Sequence, residues 1–246
     1  MLPFRAVVRL GSTTEIEASE RTLRVECNSI QSIKNSSSKA LMKACFLKAG
    51  VMTAAYTKNA ADVDKLTDNW GSWLVAKSHY GSRGDGNTLI KTKAEFDKWI
   101  KGKTVSNYIF EKFYNYALEF RLHVTEEGYF YACRKALKKD CPDDLKWRHH
   151  DDTCVWLMEN NPEFRLPNSW QDIITDCVKA LKCIGADVLS FDVKVQGAES
   201  EGKKRNYQDY ILLECNSASS FGDVTAQKYL EEIPKILRRK HAKLVK

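Results

Sequence analysis

None of the eight cysteines, at positions 27, 45, 133, 141, 154, 177, 183 and 215, forms a CxxC pair with another. That argues against a zinc ribbon and a redox dithiol. Most are flanked by apolar residues, as in "KACFLKAG" and "DCVKALKCIG", and read as free thiols of a reducing, cytoplasmic compartment. No apolar run approaches the roughly 20 residues that span a bilayer. The N-terminal "MLPFRAVVRL" has neither a long apolar core nor a small-residue cleavage site, so it does not read as a signal peptide. There is no internal repeat, and neither GxSxG nor HExxH occurs, which removes the nucleophile elbow and the zincin helix.

What remains is an ordinary globular composition. The 246 residues suffice for one large domain or two small ones. They are 43% hydrophobic and 29% charged, as in soluble proteins. A net charge of +7 favours anionic ligands such as nucleotides. It permits nucleic acid without requiring it, and unclustered it is simply a solvated surface.

Strand and helix signals alternate along the chain. "RAVVRL" (5–10) reads as a strand. "SSSKALMKACFLKAG" reads as a helix, with serine caps and Gly50 as terminator. "SWLVAKS" (72–78) predicts a strand, "HYGSRGDGNT" (79–88) a glycine-rich loop and "KAEFDKWIKG" (93–102) a short helix. "NYIFEKF", "LEFRLHV" and "YFYACRKAL" predict strands joined by short turns. The segment 138–167 reads as polar and irregular. A helix capped by Ser169 and stopped by Gly185 follows, then strands "DVLSFDVKV" and "DYILLECN", then a helix expected to kink at Pro234. Hairpin-linked strands mixed with helices predict an α+β protein with antiparallel sheets.

Two local patterns carry chemistry. If 187–196 and 208–216 form an antiparallel hairpin with its loop centred near 203, Asp192 lies opposite Glu214. Period two then places Asp192, Glu214 and Asn216 on one face, with Val193, Val195, Leu213 and Cys215 on the other. Opposed carboxylates repel, and a hard divalent cation such as Mg²⁺ would relieve them. A solvated face balanced by Lys194 is the alternative. The second pattern is "VAKSHYGSRGDGNTLI", in which Lys77 ends a strand before Gly81, Gly84 and Gly86. Glycines let backbone N–H groups approach an anion, and the lysine adds a point charge. The spacing fits neither GxxxxGK[ST] nor GxGxxG, and a plain hairpin turn is the alternative.

Together, in this order, the two patterns resemble the ATP-grasp ligases. The likeness runs through "NSSSKALMKACFLKAGV", "VAKSHYGSRGDGN", "YIFEKFYNYALEFRLHV", "FDVKV" and "LLECNSASS", over roughly residues 35 to 222. The resemblance implies an ATP-grasp fold, two α+β subdomains with antiparallel sheets clasping a nucleotide. It implies ATP and Mg²⁺ as cofactors and an acyl phosphate joined to an amine or similar nucleophile. By the same carry-over, Lys39 and Lys77 would contact the ATP phosphates, under a loop carrying Ser82, Gly84 and Gly86. Glu111 would lie beside adenine and Glu119 would accept from the ribose hydroxyls. Asp192, Glu214 and Asn216 would hold Mg²⁺. Arg134 or Lys135 would reach the γ-phosphate or acyl phosphate. The expected division is a short N-terminal segment with a lead helix (1–68), a small subdomain (69–130) and a large one (131–246).

Two departures from the family pattern concern the substrate. Only about 35 residues precede the lead helix, whereas many relatives carry there a full domain that contributes to the acceptor site. "KALKKDCPDDLKWRHHDDT" has no counterpart, so Arg148, His149, His150 and Arg165 are candidate substrate contacts. The carboxylate and amine substrates, whether small molecule, peptide or modified nucleotide, stay open, as does the oligomeric state. Two rivals are a phosphotransferase on the same fold and a nucleotide-dependent binding module acting on nucleic acid through "KWRHH" and "KILRRKHAKLVK".

Overall fold

The hairpin that carries Asp192 and Glu214 lies at one side of a five-stranded sheet. The computed structural model describes residues 4–16, 24–79, 86–116, 118–148, 152–196, 209–220 and 222–245. In that sheet β7 (Leu118–Thr125), β8 (Gly128–Leu137), β9 (Cys154–Met158), β10 (Val188–Val195) and β11 (Tyr210–Asn216) run in the order β11-β10-β7-β8-β9, all antiparallel. A second sheet has the order β3-β6-β4-β5, from β3 (Tyr56–Thr57), β4 (Leu74–Ser78), β5 (Thr88–Ile90) and β6 (Tyr108–Lys112). The division between the sheets therefore falls between β6 and β7 rather than at residue 130. A parallel pair, β1 (Arg5–Val8) with β2 (Arg24–Cys27), is the exception to the antiparallel pattern.

Alternation along β7 and β10 explains both faces of the large sheet. Phe120, Leu122 and Val124, with Leu189, Phe191, Val193 and Val195, form the core under α2 (Lys39–Lys48) and α5 (Trp170–Ile184). The opposite face presents Glu119, Arg121, His123, Ser190, Asp192 and Lys194, the alternate residues of the same strands. Part of that face is covered by α6 (Asp223–Leu244) through Val188, Tyr229, Ile236 and Leu237. The rest lines a cavity. The small sheet packs one face on α3 (Val63–Leu66) and α4 (Lys93–Trp99) through Val63, Leu74, Ala76, Phe96 and Phe110. It turns Val75, Lys77 and Glu111 to the cavity.

Several elements differ from the sequence reading. The serine-rich helix is two helices. Ser29 caps α1 (Ile30–Ser37), and Ser38 both ends α1 and caps α2. The segment 138–167 is not wholly irregular, because Cys154–Met158 pairs with β8. That edge strand is five apolar residues bracketed by polar ones, too short to show a period. Ser169 occupies the first-cap position of α5 without a side-chain hydrogen bond, while Gly185 ends the helix at φ +79° as expected. The last helix extends beyond the expected stretch, to Leu244, with Pro234 inside it. All eight cysteines are free thiols, and among the described residues no helix is long and apolar enough to cross a membrane.

Asn28 ties the N-terminal strand pair to the large sheet. It is fully buried at φ +60°. Its side-chain amide donates to the carbonyls of Arg9 (3.1 Å) and Val188 (3.0 Å), and its oxygen accepts from Asp187 N (2.8 Å) and Val188 N (3.1 Å). Asn28→Ala would leave these buried groups unpaired in a left-handed conformation. It should cost on the order of 3 kcal/mol. Urea unfolding checks this, and a loss below about 0.5 kcal/mol, the range of an inconsequential surface change, would remove the clasp's importance.

Candidate active site

Asp192 faces Glu214 across the hairpin. The register slips by one residue directly after this pair, so Val193 opposes Leu212 and Leu213 is bulged. A bulge re-aims side chains. Leu213, expected on the core face, instead packs against Ala54, Tyr116 and Ile211 and lines the cavity with Ile211 and Glu214. Val193, Val195 and Cys215 do face the core.

The repulsion between the two carboxylates is relieved by cations already in the chain. Arg121 grips Asp192 in two bonds, Nε to Oδ1 at 2.7 Å and Nη2 to Oδ2 at 2.8 Å. Lys135 Nζ reaches Asp192 Oδ2 at 3.3 Å and Glu119 Oε1 at 2.6 Å. Burial alone would raise the Asp192 carboxyl, but Arg121 and Lys135 outweigh it and hold it well below the usual carboxylate range. Trp156 of β9 roofs both cations, its ring 4.9 Å from the Arg121 guanidinium and 5.2 Å from Lys135 Nζ. Lys194 lies 3.9 Å from Glu119, and burial lowers its pKa.

A second cluster hangs from the small sheet. Glu111, 2% exposed, bridges Lys77 (2.7 Å) and Lys43 (3.3 Å). Lys43 projects from α2, is fully buried, and donates to Thr53 Oγ1 at 2.9 Å. Burial brings it down to about 8, although Glu111 pulls the other way. Burial would also lower Lys77, but Glu111 and then Glu214 overcome it and the net shift is upward. For Glu111 the burial effect, which raises it, yields to Lys43 and Lys77, and its pKa is lowered.

The two clusters face each other across a cavity of about 710 Å³. Seven cationic side chains line it (Lys39, Lys77, Lys112, Arg121, Lys135, Arg148 and Lys194) against four carboxylates (Glu111, Glu119, Asp192 and Glu214). Lys112 and Arg148 are also paired outside this set, with Asp68 and with Asp152 at 3.3 Å, and the five cations left against four carboxylates still favour a polyanionic ligand. Glu214 and Asn216 both line the cavity, and neither side chain has a hydrogen-bond or ion-pair partner among the described residues. Two carboxylates and an amide form an oxygen-only donor set that fits a hard cation sharing its shell with phosphates. Among the described residues no three His, Cys, Asp or Glu side chains gather as a metal group, so those phosphates would have to complete it.

Of the residues expected at the site, the cavity brings together Lys39, Lys77, Glu111, Glu119, Lys135, Arg148, Asp192, Glu214 and Asn216. Arg134 is not among them. It lies on the other face of β8, opposite Phe120, and donates to the Glu163 carbonyl at 3.0 Å. Arg165 is exposed and does not line the cavity. Ser82, Gly84, His149 and His150 lie outside the described residues, while Gly86 follows the loop at φ +75°. Sequence reasoning missed Lys43, Arg121 and Trp156 as site residues. Arg121 was legible in principle, because it shares strand parity with Glu119.

The fold and the charge pattern define the class: the chain has the ATP-grasp fold. Similar solved structures include a D-alanine–D-alanine ligase from Bacillus anthracis, 16% identical, TM-score 0.63, matched over 89% of this chain and 73% of its own. Another is the ATP-grasp ligase PsnB with a minimal precursor, 17% identical, TM-score 0.54, over 82% of this chain and 58% of that one. The macrocyclase MdnC from Microcystis aeruginosa, bound to its precursor peptide MdnA, is 16% identical, TM-score 0.54, over 80% and 57%. This chain thus spans less than two thirds of the length of PsnB and MdnC. No family model and no curated protein matches it by sequence.

The depressed carboxylates set the acid limit of the fold. Folded Asp192 and Glu111 lie below their ordinary values of 3.8 and 4.5. Their stabilisation is therefore complete above about pH 5 and is lost as pH falls through the lowered folded values. Asp192→Asn should lower stability at pH 7 by on the order of 3 kcal/mol, since Arg121 and Lys135 lose a buried counter-ion. It should also lose less than the parent between pH 5 and pH 3. Melting temperatures across that range check the sign, and parallel curves would contradict it.

Proposed function

We propose that the protein is an ATP- and Mg²⁺-dependent ligase that activates a carboxylate as an acyl phosphate and joins it to an amine or similar nucleophile. The observation that carries this reading is the cavity's excess of cations beside a free Glu214–Asn216 pair. ATP-grasp ligases share the fold, and one of them, PsnB, has been solved with Mg and ADP.

In this reading Asp192, Glu214 and Asn216 hold Mg²⁺, and Lys39 and Lys77 hold phosphates. When bound, Mg·ATP supplies the phosphoryl group and part of the charge neutralisation for its transfer. The chain's own residues do the rest by position. Arg121 and Lys135, fixed by Asp192, Glu119 and Trp156, offer cations at one wall. There they stabilise negative charge on the transferring group and orient the carboxylate. Lys43 keeps Glu111 ionised when Lys77 is drawn toward phosphate. Glu111 and Glu119 remain the candidates for adenine and ribose. Arg148 reaches the same cavity from the unmatched segment, paired with Asp152 at 3.3 Å, and is the acceptor-side candidate.

The charge pattern gives less support to a nucleic-acid module. Lys235, Arg239, Lys240 and Lys243 of α6 are ion-paired with Glu232, Glu127, Asp187 and Glu126. These charges are already compensated within the chain.

Glu214→Gln separates structure from chemistry. Without ligand the change removes both a repulsion against Asp192 and an attraction to Lys77, so melting temperature should move little. With Mg·ATP and an acceptor found by mass-spectrometric screening of amino acids, peptides and nucleotides, ADP release should fall by about 10³-fold or more. A variant that melts earlier and keeps turnover would make Glu214 a structural strand end.

A further inference from the structure

The large sheet ends at β9, and among the described residues no strand or bridge pairs with its outer side. The register shows which backbone groups face out there. Lys138 N donates to the Thr153 carbonyl at 2.8 Å, continuing the ladder that pairs Ala136 with Val155 and Arg134 with Leu157. Hydrogen-bonded pairs recur at every second residue of an antiparallel ladder, so Val155 and Leu157 turn their N–H and C=O groups to β8. Ala132 N keeps to the same series by donating to Glu159 Oε1 at 2.9 Å. Cys154, Trp156 and Met158 therefore turn their backbone groups outward. The Met158 carbonyl accepts from Asn161 N at 2.9 Å, and the outward groups of Cys154 and Trp156 have no backbone partner among the described residues.

The described flanks of β9 fold away from this edge. The chain before it crosses the cavity face, where Trp147 and Arg148 line the cavity and the Trp147 carbonyl accepts from Lys194 Nζ at 3.4 Å. The chain after it passes to the core face, where the Glu163 carbonyl accepts from Arg134 at 3.0 Å and the Phe164 ring meets Phe120 at 5.8 Å. The strand also lacks the usual protection of an edge. "CVWLM" has no charge and no proline, and it runs along β8 without a bulge. Such an edge is a template for another extended chain.

The two faces beside the edge differ in character. Trp156 is paired with Lys135 and shares its face, with the Arg121 guanidinium 4.9 Å from the ring. The cluster there, Arg121, Lys135 and Lys194 against Glu119 and Asp192, is net positive. Val155 points to the other face and is 45% exposed. A strand added to β9 would lie about 10 Å from β8, which is the screening length at 0.1 M salt, so its side chains on the Trp156 face feel that charge. A second copy paired edge to edge about a twofold axis would set this positive face beside its own image. An acidic side chain meets it with the opposite sign.

We propose that the free edge of β9 docks an extended peptide as a sixth strand, with acidic residues toward the Trp156 face and apolar residues toward Val155. Main-chain bonds to Cys154, Trp156 and Met158 supply the affinity, and the unlike faces supply the selectivity. The peptide is held beside the cationic wall that Trp156 roofs, outside the cavity itself. That a docked peptide is also a substrate rests on the ligase reading, whereas the docking does not.

The probe is a short synthetic peptide of alternating valine and glutamate, added without nucleotide to the full ¹⁵N-labelled chain. In the free protein, amide exchange followed by NMR should be fast at Cys154, Trp156 and Met158 and slow at Val155 and Leu157. The peptide should slow the first three by about tenfold or more, the scale of one ordinary hydrogen bond. Methylating the peptide's backbone nitrogens at the glutamates alone, or at the valines alone, blocks one of its two edges. One set should therefore weaken binding by about tenfold or more in fluorescence anisotropy, and the other should stay within about twofold. Slow exchange at all three amides in a free monomer would overturn the proposal, as would exchange that the peptide leaves unchanged or equal binding by the two methylated sets. Sedimentation showing a dimer in which those amides are already protected would give the edge to a second copy and overturn it too. A peptide that docks as expected on a chain that never binds Mg·ATP would sink the nucleotide reading and leave the docking edge standing.

Discussion

Buried carboxylates cannot stay ionised without cations beside them, and this constraint organises the cavity. Asp192, Glu111 and Glu119 are 2%, 2% and 4% exposed, and each is held by a lysine or arginine from a neighbouring element. Desolvation of such groups is expensive, and close ion-pair geometry is what repays it. The compensation is deliberately incomplete in one direction, in that cations outnumber carboxylates along the walls. A surplus of buried positive charge is a standing cost in the empty protein, and a polyanion removes it.

The two sheets divide this task. Antiparallel alternation gives each sheet one apolar face for its helices and one polar face for the cavity. On the small sheet, diagonal neighbours Lys77 and Glu111 project together from β4 and β6, and Lys43 reaches them from α2. On the large sheet Arg121, Lys135 and Lys194 surround Asp192 and Glu119 from three adjacent strands. The N-terminal strand pair, clasped by Asn28, brings Gly11 to the same cavity.

Much of this was legible in the residues, and the misses have physical reasons. The pairing of Asp192 with Glu214 followed from hairpin arithmetic alone. The bulge at Leu213 did not, because a one-residue slip leaves no mark on a run as uniformly apolar as "YILL". Arg134 and Lys135 could not be told apart by type; strand parity, fixed only once β8 is registered on β7, separates them. Lys43 reads as a surface lysine because helix periodicity says nothing about a carboxylate arriving from another sheet. Trp156 was hidden in a segment whose short edge strand is bracketed by polar residues. Lys77 was visible because a strand end followed by glycines marks it locally.

Lys77 is also where the account is most exposed. Its ammonium rests on Glu111, and Lys43 stays behind as counter-ion, so Lys77→Ala should fold. The most direct measurement is calorimetric titration of Mg·ATP into the parent and into Lys77→Ala at one ionic strength. The account predicts binding to the parent and a loss of about 1.5–3 kcal/mol in the variant, the scale of a charge-assisted hydrogen bond to phosphate. Equal affinity in a folded variant would contradict it, because the excess of cations would then have nothing to do with holding a nucleotide.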